Sequence, residues 1–241
     1  MPVSSAETEF AVKLFRRLPA RYDLLAEVLS FGQSWRWRGE LLRHAGAGNP
    51  MRVLDVATGT AGVAIAMAGS TDAHVTGIDV SEEMLEIGRR RVDAAGLQSR
   101  IDLQLARAEE LPFGNASFDT VSFTYVLRYV GDLAATIAEL SRVLRPGGVM
   151  AGLDFFEPSN PFWHAAWWLY TRFVLPVAGL ALGGKAWWDV GRFLGPNISA
   201  HYRRWPLTRL LDAWHAAGMT NVEYRVMSVG GGIVMWGIKR A

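Results

Sequence analysis

The feature that most constrains this chain is a regular alternation between residues 51 and 154. Short apolar runs take turns with stretches of helical periodicity. Met51-Arg-Val-Leu-Asp-Val56 runs into Gly and Thr and reads as a buried strand. Thr60 to Ala68 is rich in Ala, Val and Ile and reads as a helix, and His74 to Asp79 reads as a second strand. Ser81 is placed to cap the next helix, with Glu82 and Glu83 in its first turn and Gly96 beyond its end. That helix has an apolar stripe of Met84, Leu85, Gly88, Val92 and Ala95. Three more strands follow: Ile101 to Ala106, Phe118 to Thr124 and Gly148 to Asp154. The helix before the last carries Leu133, Ile137, Leu140 and Leu144 on one face and stops at Arg145-Pro-Gly-Gly. Strands joined through helices pair in parallel by right-handed crossovers. The expected fold is therefore α/β, a doubly wound and mostly parallel sheet.

The rest of the 241 residues attaches to this core as one domain. Glu7 to His44 reads as two or three helices, a cap over residues 1–48. Pro161 to Leu182 is apolar and helical, within an insertion spanning 155–206. Leu207 to Ala217 is a helix with Leu210, Leu211 and Trp214 inward, and Val222 to Val229 and Ile233 to Lys239 are closing strands joined at Gly230-Gly-Gly. The chain has no cysteine, which excludes disulfides, thiolate metal sites and a cysteine nucleophile. No metal ligand set stands out. Lys and Arg number 25 against 23 Asp and Glu, too balanced to imply a nucleic-acid partner. The polar N-terminus has no basic and apolar leader, so a cytoplasmic location is expected.

Chemistry concentrates at the end of the first strand. The loop Leu54-Asp-Val-Ala-Thr-Gly-Thr-Ala-Gly62 has a glycine turn at which a ligand can approach the backbone. Its spacing is not that of a dinucleotide fingerprint. Asp55 is placed to meet an ammonium group, and Asp79, 24 residues on, to meet ribose hydroxyls. An ammonium and a ribose on one ligand fit S-adenosyl-L-methionine (SAM).

This loop, with Gly77-Ile-Asp-Val-Ser81, Glu109-Glu-Leu-Pro-Phe113 and Leu144-Arg-Pro-Gly-Gly148, resembles the class I SAM-dependent methyltransferases. That class implies a seven-stranded sheet with a reversed final hairpin. Within it the chain resembles the UbiE/MenG branch, C-methyltransferases of ubiquinone and menaquinone biosynthesis. Arg21-Tyr-Asp23, Ser30-Phe-Gly32, Trp37-Arg38, Leu127-Arg128, Asp154-Phe155 with Pro158, and Gly231-Gly-Ile-Val234 carry that likeness. The resemblance implies that Asp55, Ala57 and Gly59 line the methionine end of SAM, with Thr58 and Thr60 in the same loop. It places Asp79 and Val80 at the ribose, Ala108 at the adenine edge and Thr124 near the methionine, with Met84 and Glu109 also among the cofactor-binding residues. Arg128 falls near the acceptor.

Several positions depart from the branch. Its Gly-Thr-Gly-Asp is Gly59-Thr-Ala-Gly62 here, and its Asp beside the adenine is Arg107. Its Arg-Asn pair is Arg128-Tyr129, its His and Arg before the Trp are Ser34 and Trp35, and Met235-Trp236 replaces its final His.

Methylating a quinol carbon needs enolate character in the ring, and so the loss of a phenolic proton. Arg128 is no base but can stabilise a phenolate. Asp154, Tyr129 and His201 are the candidate proton acceptors. The expected reaction is methyl transfer to a lipophilic small molecule, first of all a polyprenyl quinol. A lipid-headgroup N-methyltransferase is the competing enzyme, and a SAM-binding partner protein without turnover is a reading of another class. The oligomeric state stays open.

Five of the ten tryptophans fall between Trp163 and Trp188. The 21 residues from Phe162 to Leu182 nearly suffice to span a bilayer, but they sit between strands of one sheet, so a span is not expected. The segment reads as a cover for the core, as the wall of an apolar pocket, or as a peripheral membrane contact. Arg89-Arg-Arg91 reads as a solvated helix face.

Overall fold

A computed structural model describes Glu27 and residues 30–241. Arg21-Tyr-Asp23 and the helices expected before Glu27 lie outside the described residues. The described part opens with α1 (Gln33–Ala45). Then come β1 (Arg52–Val56), α2 (Gly62–Ser70), β2 (His74–Asp79), α3 (Glu82–Ala94), β3 (Ile101–Leu105), β4 (Phe118–Thr124) and α4 (Leu133–Val143). β5 (Leu144–Phe155), α5 (Pro161–Leu169), a π-helical turn (Tyr170–Val174) and α6 (Leu175–Arg204) follow. α7 (Leu207–Ala216), β6 (Met219–Met227) and β7 (Gly232–Lys239) close the chain.

The seven strands form one sheet in the order β3-β2-β1-β4-β5-β7-β6. β7 runs antiparallel to both β5 and β6, and the other pairings are parallel. Alternation along β1 feeds both faces of the sheet. Leu54 and Val56 join a core with Val121, Phe123, Leu140 and Trp214, while Val53 joins Leu41, Met67, Val75, Leu153 and Val234 on the other side. Gly152 is where Phe123 packs, since a Cβ there would sit 2.3 Å from its ring. The strand order reverses between β1 and β4, and open α/β sheets bind ligands outside the strand ends at such a point.

Local chemistry sets the ends of the elements. The Ser81 hydroxyl accepts from the Met84 amide at 3.3 Å, as expected of a cap. Gly96, at φ 68°, lies just past α3. α5 is capped by Asn160, whose Oδ1 accepts from the Phe162 and Trp163 amides. β5 begins at Leu144 rather than Gly148, because Leu144 already pairs with Phe118 across a register shift. Arg91 is not merely a solvated face: its Nη1 donates to the Thr60 carbonyl and hydroxyl.

The Trp-rich insertion is a helical hairpin. At Gly184 the backbone (φ 73°, ψ −160°) leaves the helix and the chain turns back. Gly179 lies against Trp187, Gly191 against Pro176, and Gly195 against Thr171 and Arg172. Pairing positions move in opposite directions along the two arms, so the arms are antiparallel, and glycines let them approach closely. His201 and Tyr202 lie in the last turns of α6, where the Tyr202 hydroxyl donates to the Phe155 carbonyl at 2.7 Å.

Candidate active site

A cavity of about 420 Å³ opens over the strand ends at the reversal. Its volume is that of a small-molecule site. One end is built by the loop after β1. Ala57, Gly59 and Ala61 all adopt positive φ there, and such strain persists only where the surroundings enforce it. Asp55 provides part of that enforcement. It is buried, and it accepts from the Thr58 hydroxyl at 2.6 Å and the Ser122 hydroxyl at 2.8 Å. Burial raises its carboxyl to about 6, with those two hydrogen bonds pulling the other way. Gly77 also fixes the loop, since a Cβ there would lie 2.9 Å from the Thr58 hydroxyl.

Asp79 grips the same loop from β2. Its Oδ2 accepts from the Gly59 amide and its Oδ1 from the Ser81 amide, both at 2.9 Å. Burial raises its pKa, and these amides offset part of the rise. Ala57, Thr58, Gly59, Thr60, Asp79, Val80, Met84, Ala108, Glu109 and Thr124 all line the cavity, as do Arg128 and Tyr129. Two expected site residues do not. Asp55 lies beneath the loop with its oxygens on hydroxyls, so it shapes the loop from below. Asp154 lies behind Arg128, one layer from the wall.

Arg128 is buried, with a side chain only 1% exposed. Its Nε donates to Asp154 Oδ1 at 2.7 Å, and its Nη1 donates to the Asn197 amide oxygen at 2.9 Å and to the Tyr129 hydroxyl at 3.2 Å. Burial alone would lower its pKa, but Asp154 carries it above the ordinary value, so the cation is permanent. The same Asp154 oxygen also accepts from the Phe155 amide at 2.7 Å. Asp154 therefore orients the guanidinium and is not presented to a ligand as a base. Burial raises the Tyr129 hydroxyl. His201, half-buried near Asp154 and outside the cavity, is lowered to about 4 by desolvation, so it is neutral at physiological pH. Neither is a poised base.

The far wall comes from the hairpin: Trp167, Tyr170, Thr171, Leu175, Trp187, Val190, Leu194 and Ile198. This wall is mostly hydrocarbon. Phe31, 74% exposed, stands 5.8 Å from the Tyr170 ring at the mouth. Three residues at the cavity wall or behind it escaped notice as site residues in the sequence. Arg38 was visible only as part of a signature, Asn197 arrives from the hairpin, and Tyr125 sits between two flagged neighbours. Trp236, one of the departures, stacks on His44 at 3.4 Å and is not on the cavity wall.

Does the cavity suit SAM? Gly59 answers on structural grounds. Its φ is +56°, and a Cβ there would meet nothing within 4 Å, so the loop backbone faces open space for a ligand. Beside it are the carboxylate of Asp79 and the apolar patch of Val80, Met84 and Ala108. Loop, strand-end acid and apolar slot together suit an aminoacyl nucleoside. Among the described residues no cluster could hold a metal ion.

A seven-stranded sheet with this order, its reversed last strand and this loop define a class I SAM-dependent methyltransferase. The chain belongs to the ubiE/COQ5 methyltransferase family, whose model matches residues 3–239. It is 33% identical over 241 residues to the demethylmenaquinone methyltransferase of Listeria monocytogenes serotype 4a (strain HCC23), covering 99% of both chains. It is 34% identical over 231 residues to the ubiquinone/menaquinone biosynthesis C-methyltransferase of Desulfotalea psychrophila, covering 94% of this chain and 89% of that one. Among solved structures, phosphoethanolamine N-methyltransferase 2 of Haemonchus contortus, in complex with SAM, superposes with TM-score 0.61 at 15% identity, over 86% of this chain and 53% of that one. A geranyl diphosphate methyltransferase with bound GPP and sinefungin gives 0.57 at 18% identity, over 84% and 77%. At such identity these two structures show the fold alone. The protein is thus a methyltransferase whose methyl donor is SAM.

Proposed function

We propose that this enzyme methylates a ring carbon of a polyprenyl quinol, in the step that its menaquinone and ubiquinone relatives are named for. The observation that carries the reading is Arg128, a buried and permanently charged donor on the wall of an otherwise apolar cavity shared with the SAM loop. Residues beyond the ends of β1, β2 and β3, with one on α3, hold the donor: Gly59 through its backbone, Asp79 at the ribose, Met84 and Ala108 at the base. When bound, SAM supplies a methyl carbon made electrophilic by its sulfonium. The chain's own residues bring the acceptor ring in line with that carbon and exclude water. Arg128, locked by Asp154 and Asn197, stabilises negative charge on the acceptor oxygen, which pushes electron density onto the ring carbon. That carbon gains the methyl group as the methyl–sulfur bond breaks to leave S-adenosylhomocysteine, and its hydrogen leaves as a proton that replaces the phenolic proton lost to solvent, which restores the aromatic quinol. The hairpin wall takes the start of the isoprenoid tail. A headgroup amine needs no phenolate stabiliser, and nothing on the hairpin wall is a carboxylate suited to an ammonium, so the N-methyltransferase reading is not favoured.

The tail also explains the outside of the hairpin. Phe162, Trp163, Trp168, Leu169, Phe173, Val177 and Leu180 are exposed on its first arm and are not part of the cavity wall. Pro161–Arg204 is long and apolar enough by composition to cross a membrane, with mean hydropathy 1.3 in its most apolar window. The fold-back at Gly184 and the return to the same sheet support an arm lying in the interface, where its acceptor resides.

The test is incubation of the purified protein with methyl-labelled SAM and a demethylated quinol in vesicles. Carbon-methylated quinol is expected, and Arg128→Lys should lower kcat on the order of a hundredfold by losing the fixed fork. Label passing only to a water-soluble metabolite or to a lipid amine would overturn the reading.

A further inference from the structure

The sheet ends in β3 on one side and β6 on the other, and an edge strand offers its outer backbone donors and acceptors to any strand that can pair with it. Native edges are usually blunted by Lys, Pro, a bulge or a covering element. Residues 222–227, Val-Glu-Tyr-Arg-Val-Met, contain neither Lys nor Pro. The bulge in β6 falls between Thr220 and Glu223, so Glu223 to Met227 pair with β7 in unbroken register. Among the described residues β6 pairs with β7 alone, and Glu223, Tyr224, Arg225 and Val226 are all exposed.

Register fixes which side chains share a face, because residues directly opposite in an antiparallel pair point to the same side of the sheet. Glu223 faces Trp236 and Arg225 faces Val234, on the side of α1, where Trp236 stacks on His44. Tyr224 faces Met235 and Val226 faces Ile233, on the other side. Val222 packs against that same core and shares their side. The edge therefore carries Glu223 and Arg225 on one face and the row Val222, Tyr224, Val226 on the other. Both sets are symmetric about Tyr224, with opposite charges one residue away and valines two residues away. Arg225 is not committed within its own chain. Its side chain is 60% exposed, and the Glu40 oxygen it reaches at 3.3 Å is already held by Arg43 at 2.6 Å.

We propose that β6 pairs antiparallel with β6 of a second copy of this chain, about a two-fold axis through Tyr224, so that one sheet runs through both copies. In that register Glu223 of each copy faces Arg225 of the other, Val222 faces Val226, and Tyr224 faces its own counterpart. Opposite-charge, aromatic and β-branched pairs across strands are each favourable. Centring the pairing on Glu223 or on Arg225 instead would set like charges against each other, which is unfavourable. The charges thus select a register as well as a partner, and the contact closes at two copies. The other edge has no such symmetry: β3 reads Ile-Asp-Leu-Gln-Leu, with Asp102 its only charge. None of residues 222–227 lines the cavity, so the proposal stands apart from the identity of the methyl acceptor.

Sedimentation equilibrium of the full chain, with thermal melts to follow folding, tests it. The wild-type mass should approach twice 26.6 kDa as concentration rises. Glu223→Arg sets Arg against Arg, and Arg225→Glu sets Glu against Glu, so each alone should weaken self-association about tenfold or more. Mixing the two single variants pairs every charge with its opposite again, as does the double variant, and both should restore association. Cross-linking gives a second measurement that needs no charge change. The chain has no cysteine, so Tyr224→Cys places its one thiol at the axis, beside its counterpart. It should form a covalent dimer under mild oxidation, while Val226→Cys, whose two copies lie apart, should not. A wild-type chain that stays at 26.6 kDa overturns the proposal. So does a dimer that both single variants leave intact, or a Tyr224→Cys protein that cross-links no better than Val226→Cys.

Discussion

Asp55 shows how a residue can be legible in the sequence while its hydrogen-bond partners are not. Its position at the end of β1 marks it as a site residue, yet its carboxylate turns to Thr58 and Ser122 beneath the loop. Burial raises its pKa from 3.8 to about 6. A carboxyl raised on folding destabilises the fold where it must be ionised. Its contribution is therefore most favourable below the unfolded pKa and is lost as pH rises through about 6. Asp55→Asn keeps the shape and removes the charge. The variant should gain stability over wild type at pH 8, by at most about 3 kcal/mol, and the gain should vanish near pH 4. Denaturant melts at both pH values check this, and a gain that does not change with pH would refute it. Arg128 and Asp154 were both visible as strand-end residues, but not their pairing. Their partnership crosses 26 positions and depends on β4 and β5 being neighbours.

Periodicity read the core elements to within a few residues because each has one buried face and a clear stop. Ser81 and Gly96 bracket α3, and Pro146 prevents α4 from running on. The hairpin gave no such signal. Its first arm is apolar on both faces, so its pattern cannot say which face is inward. The reversal rests on Gly183-Gly184 within a run that otherwise reads as helix. With the structure in hand the arms depend on close approach. A Cβ on Gly191 would lie 2.7 Å from the Pro176 backbone, and one on Gly179 would lie 2.7 Å from the Trp187 carbonyl. Gly191→Val should therefore splay the arms and lower stability by roughly 1–3 kcal/mol. Because Trp187 and Val190 line the acceptor end, KM for the quinol should rise while SAM affinity stays near wild type. Equal losses for donor and acceptor would show that the hairpin and the SAM loop do not act as separate elements.

At the scale of the whole molecule the sheet divides the labour. Loops after β1, β2 and β3 line one end of the cavity, and those after β4 and β5, with the hairpin, line the other. Under the proposed function the first end takes a soluble donor and the second a lipophilic acceptor, so the two arrive from different phases. That proposal assigns the second approach to the exposed aromatic and aliphatic residues of the first arm, beside the mouth at Phe31 and Tyr170. Trp168 and Phe173 touch edge to face at 5.7 Å, and Val177 continues the strip, each of them 44% exposed or more. Burying side chains like these in lipid is worth roughly 1.5–3 kcal/mol apiece at full burial, so two of them decide whether binding is measurable. Phe173→Ser with Val177→Ser should reduce flotation with anionic phospholipid vesicles by tenfold or more, on the order of that free energy. Neither residue lines the cavity, so the melting temperature and turnover of a detergent-solubilised short-chain quinol should hold. Turnover of a long-chain quinol in vesicles should fall with the flotation. Undiminished flotation of the double variant would move the lipid contact off this arm. Flotation lost with long-chain turnover retained would mean that the acceptor reaches the cavity by another path.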